Sequence, residues 1–455
     1  MPSNADYTQE YFDIVAELNG DIAGRRATRE YMLNSTAIVH HKVVSSSFIP
    51  RLYNRKTLEA MTYISSTAHT ILCKVMQRYF SDEAYRDLFS FDDRLKELIM
   101  LPRGYDSLLP FARVDIFLNE DDYSAKFCEF NADGSSGMNE DREIVHSIEN
   151  TASFTEFSKR HTLTSSELFT SWVEEFIAIY KTYEHKVEHP RIAICDYLEN
   201  AVVDEFAIFC EIFAQYGYPC IVEDVRNLSF DGEVLRASDG EAIHAIWRRS
   251  VTNDILEHWE QSQDLIEAVK AEKLALIGSF AGHLVHDKQI FRVLHLPQTA
   301  AFLTDEEVRF IKDTIPFTAF LTSESVDLDA VKRDKDSWII KPTDHYGSDE
   351  VHAGSYYTQT QWEQLIDKFA NRRSGIEFIA QEYCTPFKTM TLVPDEEIET
   401  LSDEEVEKHG ALYNNLSGLY LYNGQFKGVF SRLGPLPTIS KDMKGITSAT
   451  IWVDC

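Results

Sequence analysis

The stretch Lys126-Phe-Cys-Glu129-Phe-Asn131-Ala-Asp133-Gly134-Ser135-Ser136, with Arg113-Val-Asp115 a strand and a turn ahead of it, decides how this chain reads. Glu129 and Asn131 are two apart, so on a strand they point to the same face. A hairpin between strands Phe111–Leu118 and Ala125–Phe130 brings Asp115 alongside them and offers three oxygen ligands for Mg²⁺. Arg113 then faces developing negative charge. Two lysines on apolar runs, Lys288 and Lys341, follow much later. Such a set suits the transfer of a phosphoryl group from ATP, where positioning and charge neutralisation supply the catalysis. An ordinary hairpin whose Asn-Ala-Asp-Gly only supplies turn chemistry is the bland alternative. The offset of Arg113 and the order of the later lysines weigh against it.

On these motifs the chain resembles the circularly permuted branch of the ATP-grasp ligases, in which the metal motif precedes the lysines. Within that branch, residues 126–136 look like the signature of glutathionylspermidine synthase and its acid–amine ligase relatives. The resemblance covers roughly residues 100–455 and implies an α/β (α+β grasp) fold there, with the first part of a permuted ATP-grasp domain (101–188), a Rossmann-like domain (189–285) and the nucleotide-binding remainder (286–455). Ahead of them, residues 1–100 read as a mostly helical N-terminal region by their own periodicity. The resemblance also implies site roles. Asp115, Glu129 and Asn131 hold Mg²⁺, and Arg113 stabilises an acyl-phosphate. Lys288, Lys341 and Arg432 hold the triphosphate of ATP, and the Gln381-Glu382-Tyr383 backbone meets adenine. Asp133, Ser135 and Ser136 are turn residues or substrate contacts.

The loop after Lys341 departs from the family pattern. Lys341 to Gly354 offers two glycines and three acids, a poor phosphate cradle, so that Asp344 or Glu350 is expected to reach a second metal or the loop to fold differently. Burying the Lys341 stem on the strand Trp338–Lys341 calls for an anionic partner.

Composition narrows the field. Lys+Arg 44 against Asp+Glu 74 gives a net charge of −30, which disfavours nucleic acid as a partner. A solvated surface with excess carboxylates is the favoured account of it, and the attraction of a cationic amine the sharper one. Eight acids between Asp395 and Glu407 read as a solvated insertion. No apolar run is long enough for a membrane-spanning helix, and the N-terminus lacks the parts of a signal peptide. Seven cysteines without Cys-x-x-Cys spacing fit a reducing cytoplasm. His283, His286 and His295 lack a convincing carboxylate companion, so zinc is not expected.

Periodicity supplies the remaining elements. A helix carrying Leu58, Met61, Ile64, Leu72 and Met76 is expected after Thr57 as cap, and another carries Leu168, Trp172, Phe176 and Ile179. Strand 191–196, helix 201–216, strand 219–223 and strand 242–247 follow β-α-β grammar. The last of these strands ends at Arg248-Arg249, beyond the carboxyl edge where ligands gather, so this pair is the candidate fork for a substrate carboxylate. Thr304–Glu307 and Thr360–Glu363 read as capping boxes. Ile376–Tyr383 reads as a strand, and Leu419–Asn423 with Phe426–Leu433 as a hairpin through Gly424.

The sequence thus points to an ATP-dependent carboxylate–amine ligase, its substrates an acid such as a γ-glutamyl peptide and an amine such as a polyamine or amino acid. A nucleotide-binding pseudoenzyme and a phosphotransferase on the same fold stay open beside it.

Overall fold

The strands Phe111–Leu118 and Ala125–Asn131 pair antiparallel, with Arg113 opposite Asn131 and Asp115 opposite Glu129. Val114, Ile116 and Leu118 turn inward against the long helix Arg55–Ser81, leaving Arg113 and Asp115 on the other face. Phe127 and Phe130 both join that core although they are three apart. The register shift between Asp115 and Ile116 reconciles them: Glu129 faces Asp115, Phe127 faces Ile116, and Cys128 is the extra residue. A computed structural model describes residues 2–39, 42–199, 201–344, 350–371, 377–392, 410–436, 438–439 and 444–455. The acidic segment 395–407 and residues 345–349 of the loop after Lys341 lie outside them.

The hairpin sits at the edge of a six-stranded antiparallel sheet. Beside Phe111–Leu118 runs Gly410–Tyr422, which pairs with Gln425–Gly434, and that strand pairs with Ile446–Ser448. Lys388–Leu392 pairs with the start of Gly410–Tyr422. The turn between the two long strands is Asn423-Gly424, both at positive φ (48° and 83°), as a two-residue hairpin of this hand requires.

Residues 192–277 form a four-stranded parallel sheet in the order Ala275–Ile277, Ala245–Arg248, Ile192–Asp196, Cys220–Asp224. A third sheet orders Thr318–Phe320, Phe378–Glu382, Trp338–Pro342 and His352–Ala353, all antiparallel. Ile340 and Ala380 face the helices Leu328–Arg333 and Gln359–Phe369 in its core, so Lys341 and Gln381, one residue on, face the other way.

Several local expectations shift. The long helix is capped by Asn54, whose side chain accepts from the Thr57 amide, so Thr57 lies inside the first turn. The second capping box is Thr358 with Gln361 instead of Thr360 with Glu363. The first hundred residues also hold the strand Arg51–Tyr53, which pairs parallel with Thr450–Val453. No helix among the described residues is long and apolar enough to cross a membrane.

Candidate active site

A cavity of about 640 Å³ opens where the three sheets meet, lined by Arg113, Asp115, Glu129, Asn131, Lys288, Lys341 and Arg432 among others. Sequence distance between these residues is closed by the sheet register. Asp115 lies opposite Gly418 on one side and Glu129 on the other. Its Oδ1 accepts from Arg113 Nε (2.8 Å), and its Oδ2 accepts from Arg113 Nη2 (3.2 Å) and Arg432 Nη2 (2.7 Å). Both oxygens of Asp115 already accept from guanidinium groups, so Asp115 orients the two arginines whether or not it also meets a cation.

Glu129 and Asn131 differ from Asp115 in this respect. Lys288 Nζ approaches Glu129 Oε1 at 3.4 Å, and Asn131 Nδ2 is buried without a hydrogen-bond partner among the described residues. The Glu129 carboxylate and the amide oxygen of Asn131, on one strand face, are the ligand types that fit Mg²⁺, which takes one or two protein oxygens and fills its other positions with water and phosphate oxygens. The orphaned Asn131 Nδ2 is a donor. Burial by itself would raise the Glu129 carboxyl. The positive charges of Lys288, His286, Lys341 and Arg432 outweigh it and hold the group at about 2.

The lysines arrive from separate elements. Lys288 caps the helix Gln289–Leu294, and its amide donates to Thr343 O (2.9 Å), which ties this helix to the end of the Lys341 strand. Lys341 Nζ donates to Gln381 Oε1 (2.8 Å) and reaches the Cys128 carbonyl, at the bulge, at 3.4 Å. Both acceptors are neutral, so the buried ammonium has no carboxylate of its own among these contacts. Gln381, Glu382 and Tyr383 line the same cavity, and the Glu382 and Tyr383 amides are already spent on the Phe317 and Ser337 carbonyls.

The Asn131–Ser136 turn is built tightly. Ser135 Oγ donates to Asn131 O (2.6 Å), and the Ser136 carbonyl accepts from Arg113 Nη1 (2.8 Å) and from the Tyr420 hydroxyl (2.9 Å). Gly134 has φ 73°, and a Cβ there would lie 2.4 Å from the Arg249 carbonyl. Asp133 is buried: its Oδ1 meets Arg248 Nη2 at 2.5 Å, and its Oδ2 accepts from the Thr252 amide (2.7 Å) and His283 Nδ1 (3.2 Å). Burial would raise this carboxyl, but Arg248 and His283 hold it far below the usual range.

Of the arginine pair, one reaches the cavity. Arg248 spends its donors on the carbonyls of Gly278, Ser250 and Ser279 and on Asp133, and it does not line the cavity, contrary to its candidacy for the substrate fork. Arg249 does line it. It lies over the rings of Trp247 (4.8 Å) and Phe206 (5.2 Å), pairs with Glu205 at 3.4 Å, and keeps Nε and Nη1 without hydrogen-bond partners among the described residues.

Sequence reasoning missed the opposite wall. Asp196, Glu199, Asp254, Glu257 and His258 line the cavity from the parallel-sheet side. Burial raises Asp196 to about 6 despite Arg249, and burial with the nearby Glu257 raises Asp254 to about 6. No motif marks these residues, because they come from a strand end, a loop and a short helix. The three histidines also regroup. His295 turns to the Ile315 and Pro316 carbonyls, whereas His283 is ringed by carboxylates of Asp133, Asp287 and Asp344.

No protein-family model matches the sequence, and no curated protein does. Among solved structures, the chain is similar to a glutathione synthetase-like effector from Globodera pallida in its apo form, at 10% identity and a TM-score of 0.59. The match covers 94% of this chain and 96% of that one. Nearly the whole chain therefore has a glutathione synthetase-like α/β fold.

Proposed function

We propose that this chain is an ATP-grasp-type, ATP-dependent carboxylate–amine ligase, with the metal motif ahead of the phosphate-binding lysines as in the circularly permuted branch. The observation that carries this reading is the convergence of Arg113, Lys288, Lys341 and Arg432 on Glu129 and Asn131 in one cavity. Glu129 and Asn131 would hold Mg²⁺, which when bound supplies further neutralisation of phosphate charge. Lys288, Lys341 and Arg432 would bind the triphosphate as point charges and a fork. Arg113, held by Asp115 and the Ser136 carbonyl, faces the position where an acyl-phosphate gathers negative charge. The products would be an amide, ADP and phosphate.

The two walls suggest where the substrates go. Arg249, with unspent buried donors, suits a carboxylate of the acid, such as a γ-glutamyl peptide. The acidic wall suits a cationic amine. Glutathione and spermidine are not singled out by either wall.

A phosphate-release screen crossing amino acids, γ-glutamyl peptides and polyamines tests the reading. ADP and phosphate should appear only with acid and amine together, and Glu129→Gln should lower that turnover by about a hundredfold or more, as loss of a charge-stabilising group does. Release of AMP and pyrophosphate would exclude this mechanism. Turnover without any amine would favour the phosphotransferase, and ATP binding without turnover the pseudoenzyme.

A further inference from the structure

We propose that His283, Asp287 and Asp344 form a binding site for a divalent transition-metal ion, distinct from the Glu129–Asn131 pair. Their ligand atoms all lie within 4.8 Å of one another, and His283 and Asp287 are buried. The residues come from two places: the short helix His283–His286 with the residue after it, and the end of the segment that follows the Lys341 strand.

The orientation of the His283 ring carries the inference. Nδ1 lies 3.2 Å from Asp133 Oδ2, and a carboxylate oxygen can only accept, so Nδ1 carries the proton. In the neutral ring Nε2 then turns its lone pair towards Asp344 Oδ2, also 3.2 Å away, and the buried Nε2 makes no well-formed hydrogen bond among the described residues. Two acceptors facing each other repel unless a proton or a metal ion lies between them, and an ion held by Asp287 and Asp344 would take the place of that second imidazole proton. With metal–ligand distances of about 2.0–2.2 Å, adjacent ligand atoms stand about 3–3.5 Å apart, and the Nε2–Oδ2 separation is such an edge. Asp287 Oδ1 accepts from the Gln289 amide (2.8 Å), leaving its other oxygen for the ion.

Behind the ring, Asp133 does what carboxylates do for metal-binding histidines: it fixes tautomer and orientation, and it is itself anchored by Arg248 and the Thr252 amide. One imidazole with two carboxylates suits Zn²⁺ or Mn²⁺ better than Mg²⁺, which prefers oxygen alone. Such an ion would fasten the chain just after Lys341 to the short helix His283–His286, which Asp133 holds from behind. None of this depends on the ligase reading.

The 455-residue chain, stripped with chelator and free of nucleotide, is titrated with ZnCl₂ by calorimetry, and its metal content after purification is measured by mass spectrometry. One ion per chain should bind, and His283→Gln and Asp287→Asn should each weaken it by about tenfold or more. Circular dichroism confirms that each variant is folded; if His283→Gln is not, Asp287→Asn decides. Glu184, His185 and Glu272 form an exposed cluster that could also capture Zn²⁺, so His185→Gln is the control and should leave the affinity unchanged. Three results overturn the proposal: no stoichiometric binding, binding that survives both site variants, or binding lost in His185→Gln. The first would leave an imidazolium between Asp133 and Asp344.

Discussion

Gly418 lies opposite Asp115 in the sheet register, and a Cβ there would sit 2.8 Å from both Arg113 Cδ and Asp115 Oδ1. The absence of a side chain is what lets Arg113 fold flat over the strand and Arg432 reach Asp115 from the strand beyond. Gly418→Ala should therefore cost about 1–3 kcal/mol, the range for overpacking, and should displace the Arg113–Asp115 pair. Urea unfolding measures the loss, and a variant as stable as the parent would mean that the pair does not lie over this glycine. At this scale the sequence was partly legible. A period of two puts Glu129 and Asn131 on one face without knowledge of the rest of the chain. The commitments of Asp115 were not legible, because Arg432 is 317 residues away and only the register joins them. Nor does anything local separate Arg248 from Arg249. One turns into the protein and the other into the cavity because neighbours on a strand face opposite ways.

Elements were read well where their own periodicity is strong and poorly where a bulge or cap sets the detail. Strict alternation would place Phe127 on the face of Glu129; the extra residue Cys128 returns Phe127 to the core and presents its carbonyl to Lys341. A bulge of this kind has no signature in the residue types. The Lys341 strand is the opposite case, since a buried apolar run ending in lysine already implies an unusual partner. That partner is Gln381, aligned by the pairing of Ile339 with Gln381 and Lys341 with Ile379. Lys341→Met keeps most of the stem's packing and removes the charge. A charge-assisted hydrogen bond contributes about 1.5–3 kcal/mol, so ATP affinity should fall by about tenfold to a hundredfold, with the melting temperature little changed. Calorimetric titration with ATP checks this, and equal affinity in the variant would remove Lys341 from the proposed phosphate site.

Across the whole molecule the chain closes on itself, and one buried acid takes part in the closure. The strand Arg51–Tyr53 pairs with Thr450–Val453, which also pairs with Leu163–Thr164. Reading the first hundred residues as mostly helical from their periodicity could not foresee a strand whose partner lies at the far end of the chain. Asp141, on the helix Met138–Glu149, accepts from the Thr450 amide (3.2 Å) and so ties that helix to the closing strand. Its burial pushes the carboxyl up to about 8, against the modest help of the amide. The sign follows from linkage. Above the ordinary carboxylate range the unfolded chain has lost this proton while the native protein keeps it, so stability falls as pH rises from about 4 to about 8. Asp133 and Glu129, held low, act in the opposite sense: they stabilise above the ordinary carboxylate range and lose that contribution on acidification. Asp141→Asn keeps an oxygen for the Thr450 amide and removes the titration. The variant should melt about 2 °C or more above the parent at pH 8, where the parent must keep a proton on a buried acid or bury a charge, and the difference should be smaller at pH 5. Scanning calorimetry at the two pH values decides the matter. Equal melting temperatures at pH 8 would mean that Asp141 titrates as an exposed carboxylate and that the helix is fastened to the closing strand by packing alone.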